Sequence, residues 1–441
     1  MRRELCPVET LYVPQRSRAV LSCALAGPVD APALATAFEA VTAEQPTLLT
    51  HIVPAEAGPV LELLPEPERP RLITRPADED AYAEELNNPL TVGGPLVRAV
   101  LVGEPGGDTH TFVLAVDHVI TDGHSAITLL NRIWDRYGQV LGAGADAVTV
   151  APPAVTEVPV WPAPVSSLLP PTDAAETAKY LERRTEETRR RPVALLPYDV
   201  PPAAESGEGR PAPRIEVARL RLDADDTLRL RELARSTGLS VHGLIGAALL
   251  TAVRRRLDGA GPPVLGCMSP VDVRSRLTPP LSAEVMVAAV TAHLHALEVS
   301  PDSSPLELAG ELGAALGNHI ERGDHFQEMR IMPEVPRNPL LQMGTVINTN
   351  MGVVPGPRLP EGLRVTDVRL VPARENYFPQ AGRSPLMACV TSFDGRLAIE
   401  FPHHTACFST EFMAALRDDV HATLLALVDT DGTRPPAEVM A

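Results

Sequence analysis

The 441 residues, 44% of them apolar and 22% charged, are enough for one large core or for two lobes of about 200 residues each. A formal net charge of −17 excludes general nucleic-acid binding, which needs a surplus of Lys and Arg to neutralise phosphates. No run approaches the roughly 18 uninterrupted apolar residues of a membrane span, and MRRELCPVETLYVPQ lacks the apolar core of a signal peptide; a cytoplasmic, monomeric protein with no membrane span is expected.

An amphipathic helix is predicted after Asp30. Asp30 supplies its cap, Leu34, Ala37, Phe38 and Val41 recur at helical spacing, and Pro46 stops it. A short second helix is predicted over DEDAYAEELN, residues 78–87. GPLVRAVLVGEPGGDTHTFVLAVDHV then reads as two strands joined by a Gly-rich hairpin. After Gly123, Ile127, Leu130, Trp134 and Tyr137 return to helical spacing. Residues 150–175 and the piece PPAAESGEGRPAPR are too rich in proline for a central strand. We therefore divide the chain into an N-terminal lobe (1–150), a Pro-rich crossover with one polar helix at 174–190 (151–213) and a C-terminal lobe (214–441). The basic runs LERRTEETRRRP and RRRL read as solvated helix faces.

The C-terminal lobe opens with the strand RIEVARLRL. Asp223 caps a helix that ends at Gly238, and Ser240 caps the next, VHGLIGAALLTAVRRRL, whose nearly all-round apolarity predicts burial. Strands are predicted at 263–269, 284–299, 342–350, 363–374, 386–393 and 396–402, and helices at 305–321 and 409–428. The pattern is α/β with mixed sheets. The five cysteines, Cys6, Cys23, Cys267, Cys389 and Cys407, are scattered and form no C-x-x-C pair, so they are read as small core residues.

One strand ends in a chemically active residue. Along TFVLAVDH, Phe112, Leu114, Val116 and His118 share one face, and Val113, Ala115 and Asp117 share the other. Both faces are apolar until the end, which makes the strand central and puts His118 at the exit of a buried element. Asp122 and Gly123 complete H-x-x-x-D-G, in which glycine permits a tight turn and the aspartate either orients the ring or locks the turn.

With this motif at the end of a central strand, the sequence resembles the condensation and chloramphenicol-acetyltransferase-like superfamily, whose pattern is HHxxxDG or HxxxDG. Among its branches it is similar to the stand-alone polyketide-associated acyltransferases of the phthiocerol dimycocerosyl transferase type. Supporting segments follow in the family's order: LAGPVDAPALATAFEAVTAEQPTLLTHI, LNNPLTVGGPLVRAVLV, ARSTGLSVHGLIGAALLTAVRRRL, SPVDVRSRL, INTNMGVVPG and GRLAIEFPHHTACFSTEFMAALRDDV. The resemblance implies two chloramphenicol-acetyltransferase-like lobes with mixed sheets and a tunnel between them.

It further implies an acyltransferase whose donor is an acyl thioester of CoA or of an acyl carrier protein's phosphopantetheine. The acceptor would be a small-molecule alcohol or amine, and no cofactor would be permanently bound. His118 would be the general base and Asp122 a structural residue paired with Arg274 of SPVDVRSRL. Asn350 would lie near the reacting carbonyl or oxyanion, although Asn348 and Asn350 also read as hydrogen bonders at a strand end before Gly352. His124 either touches substrate or begins the helix. His118, Asp122 and His124 are also zinc-ligand types, but a strand-end turn does not by itself converge them, and no metal is expected. His403 and His404 read as strand-end surface. Asp117 stands where many condensation domains carry a first histidine, which weakens an amide-forming reading relative to an ester-forming one. A non-catalytic carrier-binding scaffold is a further alternative.

Overall fold

The computed structural model describes residues 2–77, 80–142, 161–201, 212–259, 261–342, 344–377 and 379–429. The Pro-rich stretch 150–160, most of PPAAESGEGRPAPR and the first two residues of the predicted helix 78–87 lie outside them. The chain begins with β1 (Arg2–Glu4), α1 (Pro7–Tyr12), β2 (Ser17–Ala26) and α2 (Ala31–Ala43). It continues through β3 (Thr50–Val53), β4 (Val60–Leu63), β5 (Leu72–Arg75), α3 (Ala81–Asn87), the hairpin β6 (Val97–Gly103) and β7 (Thr109–Asp117), and α4 (Gly123–Gly142). After α5 (Ala174–Arg190) and β8 (Leu196–Pro197) come β9 (Ile215–Arg221), α6 (Ala224–Thr237), α7 (Val241–Arg254), β10 (Val264–Asp272) and β11 (Val290–Glu298). The remainder is α8 (Pro305–Glu321), α9 (Asp324–Ile331), β12 (Val346–Val353), β13 (Arg364–Arg374), β14 (Arg383–Ser384), β15 (Leu386–Phe393), β16 (Arg396–His404) and α10 (Thr410–Asp429).

Two mixed sheets organise these elements. The first has the order β13-β2-β7-β6-β5, and the second β11-β10-β12-β15-β16-β9. Strand β7 is central, as its two apolar faces require. Leu114 and Val116 pack with Leu34 and Phe38 of α2 and with Leu130 and Trp134 of α4, while Val113 and Ala115 meet Ile215 and Cys389 of the second sheet. The predicted caps form: Asp30 accepts the Ala33 N–H, Asp223 the Asp226 N–H and Ser240 the Gly243 N–H, and Gly238 ends α6 in the left-handed region. Helix α7 is buried along nearly its whole length, and all five cysteines are buried and free. Among the described residues no single helix is long and apolar enough to cross a membrane.

Three expectations need correction, and one strand went unpredicted. Strand β13, counted with the C-terminal lobe, pairs with β2 along its whole length and forms the edge of the N-terminal sheet, so residues 214–441 lend a strand to the first lobe. Strand β2 itself, SRAVLSCALA, is a continuous buried run that no alternating pattern announced. The strand predicted over 284–299 starts only at Val290, because the carbonyls of Ser282, Val285 and Val287 accept hydrogen bonds from the Arg274 side chain rather than from a neighbouring strand. His403 is buried rather than on the surface, its Nδ1 3.1 Å from the Phe401 carbonyl.

The sheets are bound together by charge as well as by apolar contact. Glu400 of β16, fully buried, accepts a hydrogen bond from Arg369 of β13 at 2.8 Å and forms an ion pair with Arg219 of β9 at 2.7 Å. Arg369 in turn lies 4.0 Å over the Tyr82 ring of α3. Two guanidinium groups would be left without their buried carboxylate if Glu400 were removed.

Elsewhere a column of imidazoles joins β11 to α8 and α9. The rings of His293 and His319 stand 4.3 Å apart and those of His319 and His325 6.4 Å apart. Burial pushes His319 down to about 4 and, helped by the neighbouring His319, His293 down to about 2; burial alone takes His242 to about 4. In the unfolded chain the same imidazoles take up protons near the ordinary value of about 6.5. The unfolded state therefore binds more protons below that pH, and this contribution to stability is present above 6.5 and is lost as the pH falls towards 4. The urea midpoint should decline steadily from pH 6.5 to 4.5, and His319→Leu should flatten the decline; a midpoint constant across that window contradicts the reading.

Candidate active site

His118 follows the last residue of β7 and stays in the sheet's hydrogen-bond pattern, donating its N–H to the Ser17 carbonyl of β2 at 2.9 Å. The next residues turn. Asp117 Oδ1 accepts the Val119 N–H at 2.8 Å, and its carbonyl accepts the Ile120 N–H. Asp117 opposes Arg18 in the β2–β7 register, and burial raises its carboxyl to about 6. Asp117 thus shapes the turn beside His118.

Asp122 caps α4. Its Oδ1 accepts the Ser125 N–H at 2.9 Å and the Ser125 hydroxyl at 3.0 Å. Its Oδ2 accepts Arg274 Nη2 at 2.7 Å, Arg274 Nε at 3.1 Å and the Ala289 N–H at 2.9 Å. The ion pair implied by the resemblance is present, with 4% of each side chain exposed. Five hydrogen bonds fill this carboxylate, and none comes from His118. Arg274 uses its other donors on the carbonyls of Ser282 and Val285 at 2.8 and 3.0 Å and of Val287 at 2.8 Å. One guanidinium therefore ties the 118–125 turn to the 282–289 segment, whose Met286 enters the core of the first lobe.

The reason for Gly123 differs from the expected one. Its backbone is not in the left-handed region; instead an added Cβ would stand 2.6 Å from the Met351 sulfur. The end of β12 thus packs directly on the motif. Asn350, adjacent to Met351, accepts the Gly352 N–H on its Oδ1 at 2.8 Å, the strand-end bond that its sequence context allowed. Asn348 is more deeply buried and donates to the His242 carbonyl at 2.9 Å. His124 occupies the first turn of α4, half-buried, with its carbonyl accepting the Thr128 hydroxyl.

A residue that sequence reasoning missed lies against the imidazole. Tyr12, the last residue of α1, stacks on His118 with ring centroids 4.9 Å apart and planes 8° from parallel. Nothing in PVETLY marks it, since the contact joins positions more than a hundred residues apart. Burial and then the Asp122 charge push the Tyr12 phenol up to about 12, so it stays neutral. His118 is enclosed yet keeps partial solvent exposure, and its Nδ1 has no partner among the described residues. Burial, opposed by Asp122 and helped by Arg374, lowers its pKa from the ordinary imidazole value. The ring is therefore held neutral, with its orientation set by stacking and backbone.

Breaking the Asp122–Arg274 pair from one side leaves a buried charge. Arg274→Met should destabilise the fold by about 3–5 kcal/mol, while the double variant Asp122→Asn with Arg274→Met should recover part of that loss. Chemical denaturation measures both; equal stability of wild type and the Arg274 variant contradicts the clamp.

Comparison with known proteins places these features in a wider group. Residues 211–402 match the family described as Phthiocerol/phthiodiolone dimycocerosyl transferase C-terminus. A phthiocerol/phthiodiolone dimycocerosyl transferase of Mycobacterium ulcerans (strain Agy99) is 27% identical over 368 residues, covering 83% of this chain and 84% of the relative. The structure of polyketide synthase associated protein 5 from Mycobacterium tuberculosis superposes with a TM-score of 0.71 at 20% identity, covering 98% of this chain and 99% of that one. The first condensation domain of the calcium-dependent antibiotic synthetase, in complex with a substrate analogue, superposes with a TM-score of 0.67 at 19% identity, covering 97% of each. The chain therefore has the two-lobed condensation-domain fold and is similar across most of its length to the phthiocerol dimycocerosyl transferases, as the HxxxDG motif and its flanking segments implied.

Proposed function

We propose that this protein is an acyltransferase of polyketide or lipid metabolism that carries an acyl group from a thioester to a hydroxyl, with His118 as general base. The observation that carries the reading is a neutral, partly exposed imidazole, stacked on Tyr12 and seated on a turn locked by Asp122 and Arg274. An alcohol is too weak an acid to ionise near pH 7, so the attacking oxygen needs a base at the moment of attack. His118 accepts the hydroxyl proton as the oxygen adds to the thioester carbonyl. Collapse of the tetrahedral intermediate breaks the carbon–sulfur bond, and the imidazolium returns the proton to the departing thiolate. The thioester is already activated, so no acyl-enzyme is required.

The donor in this reading is acyl-CoA or an acyl carrier protein, reaching His118 between the two lobes, and the acceptor enters from the opposite side. The similarity to phthiocerol/phthiodiolone dimycocerosyl transferases supports ester formation over amide formation. Asp117, engaged with the Val119 N–H, offers no second base on the His118 side. A carrier-binding scaffold without activity would have no use for an imidazole held neutral in this way.

His118→Ala should lower turnover by about 10²- to 10⁴-fold while leaving the thermal midpoint within a degree or two. Because the pKa of His118 is lowered, the base form persists on the acid side of the ordinary value, and kcat/KM should stay level down to about pH 6.5 and fall only below it. Near-normal turnover in His118→Ala, or an acid limb centred above pH 7, contradicts the assignment.

A further inference from the structure

The sheet places a second charged side chain in the row of the base. In the β13–β2 register Arg374 opposes Ser17, and Ser17 accepts the His118 N–H. Directly opposed residues of antiparallel strands project to the same face, so Arg374, Ser17 and His118 form one row across three strands. Adjacent strands lie about 4.8 Å apart, which puts the two outer backbones about 10 Å from each other. The residue between them is a small, buried serine.

The charge of Arg374 is not neutralised. Among the described residues it has no carboxylate within ion-pair distance, and its Nη2 donates at 2.9 Å to the neutral Gln15 Oε1. The carboxylate next to it in sequence, Glu375, turns instead to Arg16 Nε at 2.6 Å and Arg18 Nη1 at 3.1 Å. Gln15 belongs to the turn that follows Tyr12, its N–H bonded to the Tyr12 carbonyl. Arg16 in that turn holds φ at 46°, a left-handed backbone that a non-glycine residue adopts at a cost. One strained turn thus carries both the ring that stacks on His118 and the amide that holds Arg374. The field of Arg374 also reaches the site, adding to the lowering of the His118 pKa by burial and opposing the rise at Tyr12.

We infer that Arg374 recognises a carboxylate on the acceptor, a few bonds from the hydroxyl that is acylated, so that the preferred acceptor is a hydroxy acid. The inference rests on the reading of His118 as the base. An exposed guanidinium with donors to spare matches the two oxygens of a carboxylate. The phosphate of a pantetheine arm does not fit, because it lies the whole length of the pantetheine chain from the sulfur, whereas Arg374 is two strands from His118.

The test measures binding. Isothermal titration with 3-hydroxyoctanoate and with its methyl ester should show the wild-type protein binding the acid about tenfold more tightly or better. Arg374→Gln should bring the two compounds within about twofold, Arg374→Lys should keep part of the preference, and added salt should weaken it. His118→Ala should keep the preference in full, so that loss of the acyl-transfer reading and loss of this inference give different results. Equal binding of acid and ester by the wild type, binding of neither, or a preference that survives Arg374→Gln overturns it. Arg374 is exposed at a strand end, and circular dichroism of each variant confirms that the fold is kept.

Discussion

The buried pair between Asp122 and Arg274 is the contact on which the remaining site geometry depends. A carboxylate and a guanidinium withdrawn from water are tolerated only when every lone pair and N–H finds a partner, and here nearly all do. Asp122 belongs to the turn after the central strand of the first sheet, and Arg274 follows β10 of the second. By bonding the carbonyls of Ser282, Val285 and Val287 as well, Arg274 bends residues 282–289 away from a strand path and presses Met286 into the first lobe's core. The pair is therefore a fastener between lobes and a brace for the turn that carries His118.

This arrangement separates two roles that a His/Asp motif invites one to merge. Asp122 is saturated by backbone, Ser125 and Arg274, so it does not receive a proton from His118. The imidazole instead takes its orientation from its own backbone, whose amide N–H is tied to the Ser17 carbonyl, and from the Tyr12 ring at its face. Burial keeps it neutral, which is the state a base must occupy before it acts. Asp117 contributes by closing the turn onto Val119, and Gly123 by leaving room for Met351 at the end of β12.

Elements with local signals were legible in the sequence. The helices capped by Asp30, Asp223 and Ser240, the hairpin β6–β7 and the polar helix α5 form where capping residues and periodicity placed them, because caps and amphipathic spacing act within a few residues. The Asp122–Arg274 pair spans 152 positions and entered only through the family resemblance. What stayed hidden also depends on pairing at long range. Strand β13 joins a sheet whose other members lie about 250 residues or more upstream, Tyr12 reaches His118 through the path of a six-residue helix, and Arg374 enters the site row through its register with Ser17. Local composition carries no trace of such contacts. The irregular start of β11 is legible only once the Arg274 side chain is seen to occupy its carbonyls.

In the proposed reaction the acyl group passes directly from thioester to acceptor, assisted by a neutral His118 that is never itself acylated. Intact-mass spectrometry under single-turnover conditions tests it, using a panel of acyl-CoA and acyl-carrier donors with candidate alcohols. Direct transfer predicts loss of the acyl group from the donor and its appearance on the acceptor oxygen, with the protein's own mass unchanged throughout. An acylated form of the protein that builds up and then decays as product appears would contradict it.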